Sequence, residues 1–144
     1  MKRKATAIWQ GNGADGRGSL TSTSRVLENT PYSSTTRFKN EDGREGTNPE
    51  ELIAAAHSGC FAMALSYALT GAGFTATELK VEAAVSIEKI IDHFEITGIS
   101  LDLTGKVPGI TEEKFLELAG AAKVNCPVSR ALKSVDITLT AKLV

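Results

Sequence analysis

Hydrophobic and polar positions alternate over the first residues of the chain and predict a β-hairpin. Across residues 2–10, odd and even positions fall on two different faces, as in a half-buried strand. Four closely spaced glycines then predict a turn, and the Ser/Thr-rich residues 19–27 predict the return strand. Residues 28–47 contain Asn, Pro and Gly and predict a long irregular connection, which in a compact domain is usually functional.

The pattern changes at residues 47–70, which predict one long α-helix. Thr47 or Asn48 can cap its N-terminus, and Pro49 with the two glutamates after it suits a first helical turn. The segment is apolar nearly all the way round, which predicts a buried central helix about 33 Å long. A membrane span is the competing interpretation because the length suffices. It is disfavoured because alanine predominates and His57 interrupts the apolar run.

Strand patterns return in residues 78–106 and predict a second hairpin. Apolar side chains alternate on both sides of Gly98, but their phase shifts by one position at this glycine. A shift of this kind predicts a β-bulge or a bend. Asp92 and His93 lie near the middle of the segment, where we expect the hairpin turn.

Helical segments and a final strand complete the chain. Thr111 and the glutamates after it predict the start of a helix that runs to about residue 122. Cys126 opens a further helical turn, and residues 135–141 alternate as a closing strand. Blocks of paired strands and helices predict an α+β fold. Because no repeat or linker divides the sequence, residues 1–144 are expected to form a single domain.

The composition is that of an ordinary globular protein and disfavours several classes of function. Of the 144 residues, 42% are apolar and 23% are charged, which argues against disorder. The formal net charge is −1, so the basic excess of a general nucleic-acid binder and the polybasic patch of a membrane-surface protein are missing. The basic first residues are not followed by an apolar run, so no secretory signal is predicted and the expected location is cytoplasmic.

The two cysteines are the main candidates for chemistry. Cys60 lies inside the long helix, where burial alone would raise the pKa of its thiol and make it inert. His57, one helical turn earlier, or Arg37 from the connection could activate it. Cys126 precedes Pro127 at a helix N-terminus, and the free amides and the helix dipole there favour a thiolate. By local physics Cys126 is therefore the more acidic thiol. The roles left open for the two cysteines are those of inert buried residues, of a redox pair or of ligands in a metal site.

Other kinds of site have weaker support in the sequence. The possible metal ligands, which are the two cysteines with His57 and His93, lack the tight pairs typical of zinc sites. The chain contains no CxxC, no phosphate-binding loop and no dinucleotide fingerprint. Arg37 could pair with Glu50 and hold a cation rigidly over a thiol, although each residue taken alone is equally consistent with a surface role.

Several motifs together resemble the OsmC/Ohr family. Residues 47–52 (TNPEEL), 55–61 (AAHSGCF) and 63–66 (MALS) are similar to the central helix of that family. The earlier Thr-Arg-Phe at 36–38 and the later Asn-Cys-Pro-Val-Ser at 125–129 match as well, so the resemblance extends over essentially the whole chain. The histidine before the first cysteine is more similar to the OsmC branch than to the organic hydroperoxide resistance (Ohr) branch.

The resemblance implies a fold and a mechanism. The implied fold is α+β, with a long buried central helix packed against antiparallel sheets in an intertwined homodimer. The implied activity is reduction of organic hydroperoxides, and less efficiently of hydrogen peroxide, in defence against oxidative or osmotic stress. Cys60 would be the peroxidatic thiol and Cys126 the resolving thiol, with Arg37 and Glu50 as a salt-bridged pair beside Cys60. The implied roles thus reverse the order of acidity that local physics gives the two thiols.

The resemblance also implies how the substrate and the reductant are handled. The substrate pocket would be lined by apolar or buried side chains: Phe38, Phe61, Met63 and His57. For Phe61 and Met63, packing in the core is an equally good interpretation. No metal or organic cofactor is implied, and an external dithiol, of the lipoyl type, would reduce the disulfide. The alternative is a non-catalytic member of the same fold that binds a small molecule or serves a structural role under stress.

Overall fold

The structure, a computed structural model, describes residues 1–40 and 44–144. They form two compact units, Met1–Leu52 and Ile53–Val144. Residues 41–43, which belong to the predicted connection, lie outside the described residues. A single domain over the whole chain stays a prediction.

The first unit is built on the predicted hairpin. Strand β1 (Ala5–Gln10) pairs antiparallel with β2 (Arg17–Ser22), and β2 pairs antiparallel with β3 (Thr30–Ser33). The order in the sheet is β1-β2-β3. The hairpin is confirmed, with a return strand that ends five residues before the predicted residue 27.

The prediction of an irregular connection over residues 28–47 is wrong for its first part. This part contains β3 and a one-turn helix, α1 (Ser34–Phe38). Ser33 and Thr36 form a reciprocal capping box: the Ser33 hydroxyl accepts the Thr36 amide at 3.1 Å, and the Thr36 hydroxyl accepts the Ser33 amide at 2.8 Å. Both elements are too short to show a hydrophobic period, so the pattern did not indicate them.

The predicted long helix is α2 (Pro49–Gly71). Its fully buried residues recur every four positions: His57, Phe61, Leu65 and Leu69. On other faces Met63 is 63% exposed and Tyr67 is 76% exposed. The described chain therefore covers one face of α2, and burial on all sides stays a prediction. By length and composition α2 could also cross a membrane, a test that the core helices of soluble proteins pass as well.

The second unit contains a mixed sheet of order β4-β5-β6. Strands β4 (Glu78–Ile90) and β5 (His93–Lys106) form the predicted antiparallel hairpin. The chain then passes through α3 (Glu112–Asn125) and α4 (Pro127–Ala131) to β6 (Asp136–Leu143).

The expectation of purely antiparallel sheets is wrong for this unit, because β6 runs parallel to β5. A parallel neighbour requires a long crossover connection, and the two helices α3 and α4 supply one. The predicted bulge is confirmed: Ser86 pairs with Gly98 and the next residue, Ile87, pairs with Ile96, so Thr97 is the extra residue.

The core of the second unit lies between α2, α3 and the sheet. Its fully buried side chains include Phe61 and Leu65 of α2, Leu101 of β5 and Phe115 of α3. Cys126, between α3 and α4, belongs to the same cluster. The core thus holds one of the two thiols in apolar, water-poor surroundings.

The turn between β4 and β5 offers a test of the fold. Ile91 is 92% exposed and has a φ of 58°, a left-handed conformation that is costly for a β-branched residue. We expect Ile91→Gly to raise the free energy of unfolding by about 1 kcal/mol, because glycine adopts this φ without strain. Urea denaturation checks this, with Ile91→Ala as the control that removes the side chain but keeps a Cβ. Equal stability of the two variants would contradict the strain.

Candidate active site

The structure brings the two predicted cysteines together. Cys60 lies on α2 and is half-buried, whereas Cys126 is completely buried at the junction of α3 and α4. Both are free thiols, Cys60 packs against the core cluster that contains Cys126, and each thiol affects the acidity of the other. Cys60 therefore keeps part of its surface exposed to solvent, whereas Cys126 lies in the core.

Cys126 occupies a junction between two helices. Its amide donates to the carbonyl of Ala122 at 2.8 Å, which ends α3, and its carbonyl accepts the amide of Arg130 at 2.9 Å, which begins α4. Pro127 takes the first position of α4, where its missing N–H costs no helical hydrogen bond. The thiol makes no side-chain capping hydrogen bond, but Cys126 is the N-cap residue of α4 and lies next to the free amides of its first turn.

The two thiols differ in acidity. Burial raises the pKa of Cys60, the Val128 amide lowers it, and the neighbouring Cys126 thiol raises it again, so that the net direction is upward. Burial also acts to raise the pKa of Cys126, but the Ser129 amide, the Cys60 thiol and the Ser129 hydroxyl outweigh it and lower that pKa. These directions agree with the expectation from the local sequence, in which Cys126 is the more acidic thiol.

His57 contacts a residue that the sequence analysis did not single out as a site residue. Its Nε2 lies 2.8 Å from the hydroxyl oxygen of Ser129, and both side chains are buried. The other ring nitrogen, Nδ1, has no hydrogen-bond partner among the described residues. Ser129 stands three residues after Cys126 in the first turn of α4, and that spacing was the only signal in the sequence that could have identified it.

The predicted ion pair is present in the first unit. The Arg37 guanidinium donates two hydrogen bonds to the Glu50 carboxylate, one from Nε to Oε2 at 3.1 Å and one from Nη2 to Oε1 at 2.6 Å. Glu50 is only 7% exposed. A two-point grip fixes the plane of the guanidinium, which a single contact does not.

Aromatic residues surround this arginine. Its guanidinium carbon lies 4.9 Å from the centre of the Phe38 ring, and the rings of Trp9 and Tyr32 are 5.5 Å apart. These side chains line a cavity of about 110 Å³ beside the ion pair. Arg37 thus has an apolar cavity next to it within Met1–Leu52.

The remaining predicted pocket residues lie on α2. Phe61 is fully buried and packs in the core of the second unit, as the competing interpretation expected, whereas Met63 is exposed. A pocket-lining role for Met63 and Phe38 stays a prediction. Among residues 1–40 and 44–144, no group of three or more His, Cys, Asp or Glu side chains could hold a metal ion.

The model of the family described as OsmC-like protein matches residues 40–140. The chain belongs to the OsmC family. It is 45% identical over 143 residues to the peroxiredoxin OsmC of Escherichia coli (strain K12), which covers 99% of this chain and 97% of the relative. The organic hydroperoxide resistance protein of Xanthomonas axonopodis pv. citri (strain 306) is 34% identical over 111 residues, or 74% and 75% of the two chains.

A solved structure supports the same assignment. The organic hydroperoxide resistance protein from Elizabethkingia anophelis, crystallised with thiocyanate, superposes with a TM-score of 0.75 at 30% identity. The match covers 100% of this chain and 97% of that one. The predicted family and the α+β OsmC fold, with two sheets and helices, are confirmed. The higher identity to the OsmC relative than to the Ohr relative agrees with the predicted branch.

The two histidines of this OsmC-family chain should have opposite effects on stability as the pH changes. Burial lowers the pKa of His57. Below the unfolded pKa of about 6.5, the unfolded state therefore binds a proton more readily than the native state does, and the free energy of unfolding falls as the pH falls. The exposed His93 donates hydrogen bonds to the carboxylates of Asp92 and Glu95, which raises its pKa. Its contribution to stability is therefore present at low pH and lost as pH rises.

We expect His57→Gln to remove part of the loss of stability between pH 7 and 5, by up to about 1.4 kcal/mol per pH unit. His93→Gln should make that loss steeper. Denaturation at pH 5, 6 and 7 with both variants checks the two signs. If both variants changed the slope in the same direction, the opposite environments of the two histidines would be contradicted.

Proposed function

We propose that this chain is a thiol peroxidase that reduces organic hydroperoxides, with Cys60 as the peroxidatic thiol and Cys126 as the resolving thiol. The observation that carries the proposal is the proximity of two free thiols: the half-buried Cys60 packs against the core cluster that contains the fully buried Cys126. The names of the relatives, peroxiredoxin and organic hydroperoxide resistance protein, support a cysteine-based peroxidase that acts in antioxidant defence.

Access decides which sulfur attacks first. A hydroperoxide can reach Cys60, whereas Cys126 is fully enclosed. A proton that moves from Cys60 to Cys126 leaves Cys60 as the thiolate, so the lower pKa of Cys126 does not prevent attack by Cys60. The Cys60 sulfur then bonds to the outer peroxide oxygen, the O–O bond breaks, and the departing alkoxide takes a proton to become the alcohol. Cys60 is left as a sulfenic acid.

Arg37 and Glu50 have a supporting role in this proposal. The guanidinium stabilises the negative charge of the Cys60 thiolate and of the departing oxygen, as positioned cations do in many transition states. Glu50 holds the fork of Arg37 in one plane through its two contacts. The apolar surfaces of Phe38 and Met63 would receive the alkyl part of the substrate.

The second half of the cycle regenerates the enzyme. Cys126 attacks the Cys60 sulfur, which forms the disulfide and releases water. An external dithiol, which we propose to be of the lipoyl type, then reduces the disulfide by thiol–disulfide exchange. The cycle uses no prosthetic group. We further propose a cytoplasmic homodimer, in which a second copy covers the exposed aromatic residue Tyr67 of α2.

Thiol titration with one equivalent of tert-butyl hydroperoxide tests the proposal. We expect two thiols per chain to disappear, an intrachain disulfide to form, and hydrogen peroxide to react more slowly. Reduction with a lipoyl-type dithiol should restore both thiols. A non-catalytic protein that binds a small molecule or serves a structural role would keep both thiols, and that result would reject the peroxidase.

A further inference from the structure

We propose that His57 and Ser129 form a hydrogen-bonded relay that keeps Cys126 ready for its attack on the oxidised Cys60. The inference rests on the proposed function and deepens it, because it assigns positioning residues to the resolving step. Neither side chain needs to touch the hydroperoxide. The relay acts on Cys126 alone, from the side of the core.

The structure places three polar side chains near one another inside an apolar core. His57 Nε2 lies 2.8 Å from Ser129 Oγ, and Ser129 stands in the first turn of α4, three residues after Cys126, which caps that helix. All three side chains are buried. A polar cluster of this kind is costly in a core unless each member is satisfied, and its contacts are strong because little water competes.

The direction of the hydrogen bonds follows from the proton of the serine. A hydroxyl has one proton, and in the proposed relay Ser129 directs it to the Cys126 sulfur. Its oxygen must then accept from His57, so Nε2 carries the proton and Nδ1 carries a lone pair. That lone pair has no partner among the described residues. The histidine therefore keeps one nitrogen unsatisfied and uses the other on Ser129.

The relay affects a balanced reaction. The Cys126 thiolate attacks the sulfur of the Cys60 sulfenic acid, the S–S bond forms and the S–O bond breaks. The hydroxide that leaves takes up the proton that Cys126 has released and becomes water. The sulfenic sulfur is reduced as the thiolate sulfur is oxidised, so this step needs no outside oxidant or reductant. Its rate depends on the fraction of Cys126 that is a thiolate.

Few other titratable groups act on Cys126 within the described part of Ile53–Val144. From α2 Cys60 acts on Cys126, and His57 is linked to it only through Ser129, while α3 and the sheet contribute apolar side chains to the same cluster. The ammonium of Lys123 on α3 is turned to the carbonyl of Ile137, 2.7 Å away, and Arg130 on α4 is exposed. The relay is therefore the contribution that substitution can isolate.

Single-turnover kinetics with tert-butyl hydroperoxide tests the relay on the full chain. Trapping with dimedone follows the Cys60 sulfenic acid, and mass spectrometry of quenched samples follows the disulfide. We expect Ser129→Ala and His57→Leu to slow disulfide formation about tenfold at pH 7 and to move the midpoint of its pH profile up by about one unit. In Ser129→Ala, oxidation of Cys60 should not slow by more than twofold. His57→Gln, whose amide N–H can replace Nε2–H, should recover most of the rate.

The outcomes separate the relay from the proposed function. If Cys60 is not oxidised in the unmodified chain, the peroxidase proposal fails. If it is oxidised, and Ser129→Ala leaves the rate and pH midpoint of disulfide formation unchanged, the relay alone is overturned. Nitrogen-15 NMR of the unmodified chain gives a second test that needs no variant. We expect His57 with a protonated Nε2 at pH 7, and a protonated Nδ1 would overturn the relay.

Discussion

Cys60→Ser is expected to lower hydroperoxide reduction by at least about a thousandfold. A serine hydroxyl is far less acidic than a thiol and is a poor nucleophile toward peroxide oxygen at neutral pH. Cys60 is also the cysteine whose sulfur is partly accessible, because Cys126 is enclosed by the core. Steady-state turnover with cumene hydroperoxide and a dithiol checks this. Ser58→Ala, on the same helix, is the control and should keep near-normal activity.

Cys126→Ser should behave differently from Cys60→Ser. The peroxide still reaches Cys60 and forms one sulfenic acid, but no buried thiol is available to condense with it. One equivalent of peroxide is therefore consumed quickly, turnover then stalls, and excess peroxide drives Cys60 to the sulfinic acid. Mass spectrometry of the whole chain distinguishes these products. A Cys126→Ser protein that turned over at the normal rate, or a Cys60→Ser protein that consumed peroxide, would contradict the assigned roles.

The difference between acidity and access explains why two sulfurs are needed. Cys126 has the lower pKa but is buried, and Cys60 has the raised pKa but is reachable. A single cysteine in either place would lack one of the two properties. In the proposed cycle the two coupled thiols exchange a proton, so that each is the thiolate in its own step.

The sequence predicted the elements whose signals are local. The caps and the length of α2, the bulge at Gly98 and the helix start at Thr111 were all indicated by neighbouring residues, and the structure contains them. The direction of β6 was not indicated by the sequence, because a strand has the same alternating pattern whether its neighbour is parallel or antiparallel. The one-turn helix α1 was too short to show a period.

Only part of the candidate site could be predicted from signals carried by neighbouring residues. The acidity of Cys126 follows from its place before Pro127, but its contact with Cys60 comes from tertiary folding and was implied only by the family resemblance. The pairing of Ser129 with His57 joins α4 to α2 and left no periodic signal. Phe61 was indicated equally as a core or a pocket residue, and packing in the core decided it.

Arg37→Lys is expected to lower the second-order rate constant for hydroperoxide by about a hundredfold. Lysine keeps the positive charge but cannot grip Glu50 at two points, so the cation loses its fixed orientation. Glu50→Gln should cause a loss in the same direction, because one amide oxygen replaces two carboxylate oxygens. Peroxide consumption under single-turnover conditions gives the rate constant directly, without the reduction step.

A matched surface pair provides the control for this prediction. Arg25 and Glu28 also form an ion pair, at 2.5 Å, but both side chains are exposed, so Arg25→Lys should leave the rate unchanged. Arg37 itself is one-third exposed, and we expect Arg37→Lys to change the free energy of unfolding by less than about 1 kcal/mol. A large loss of stability together with the loss of rate would mean that the Arg37–Glu50 pair maintains the fold rather than assists the attack by Cys60.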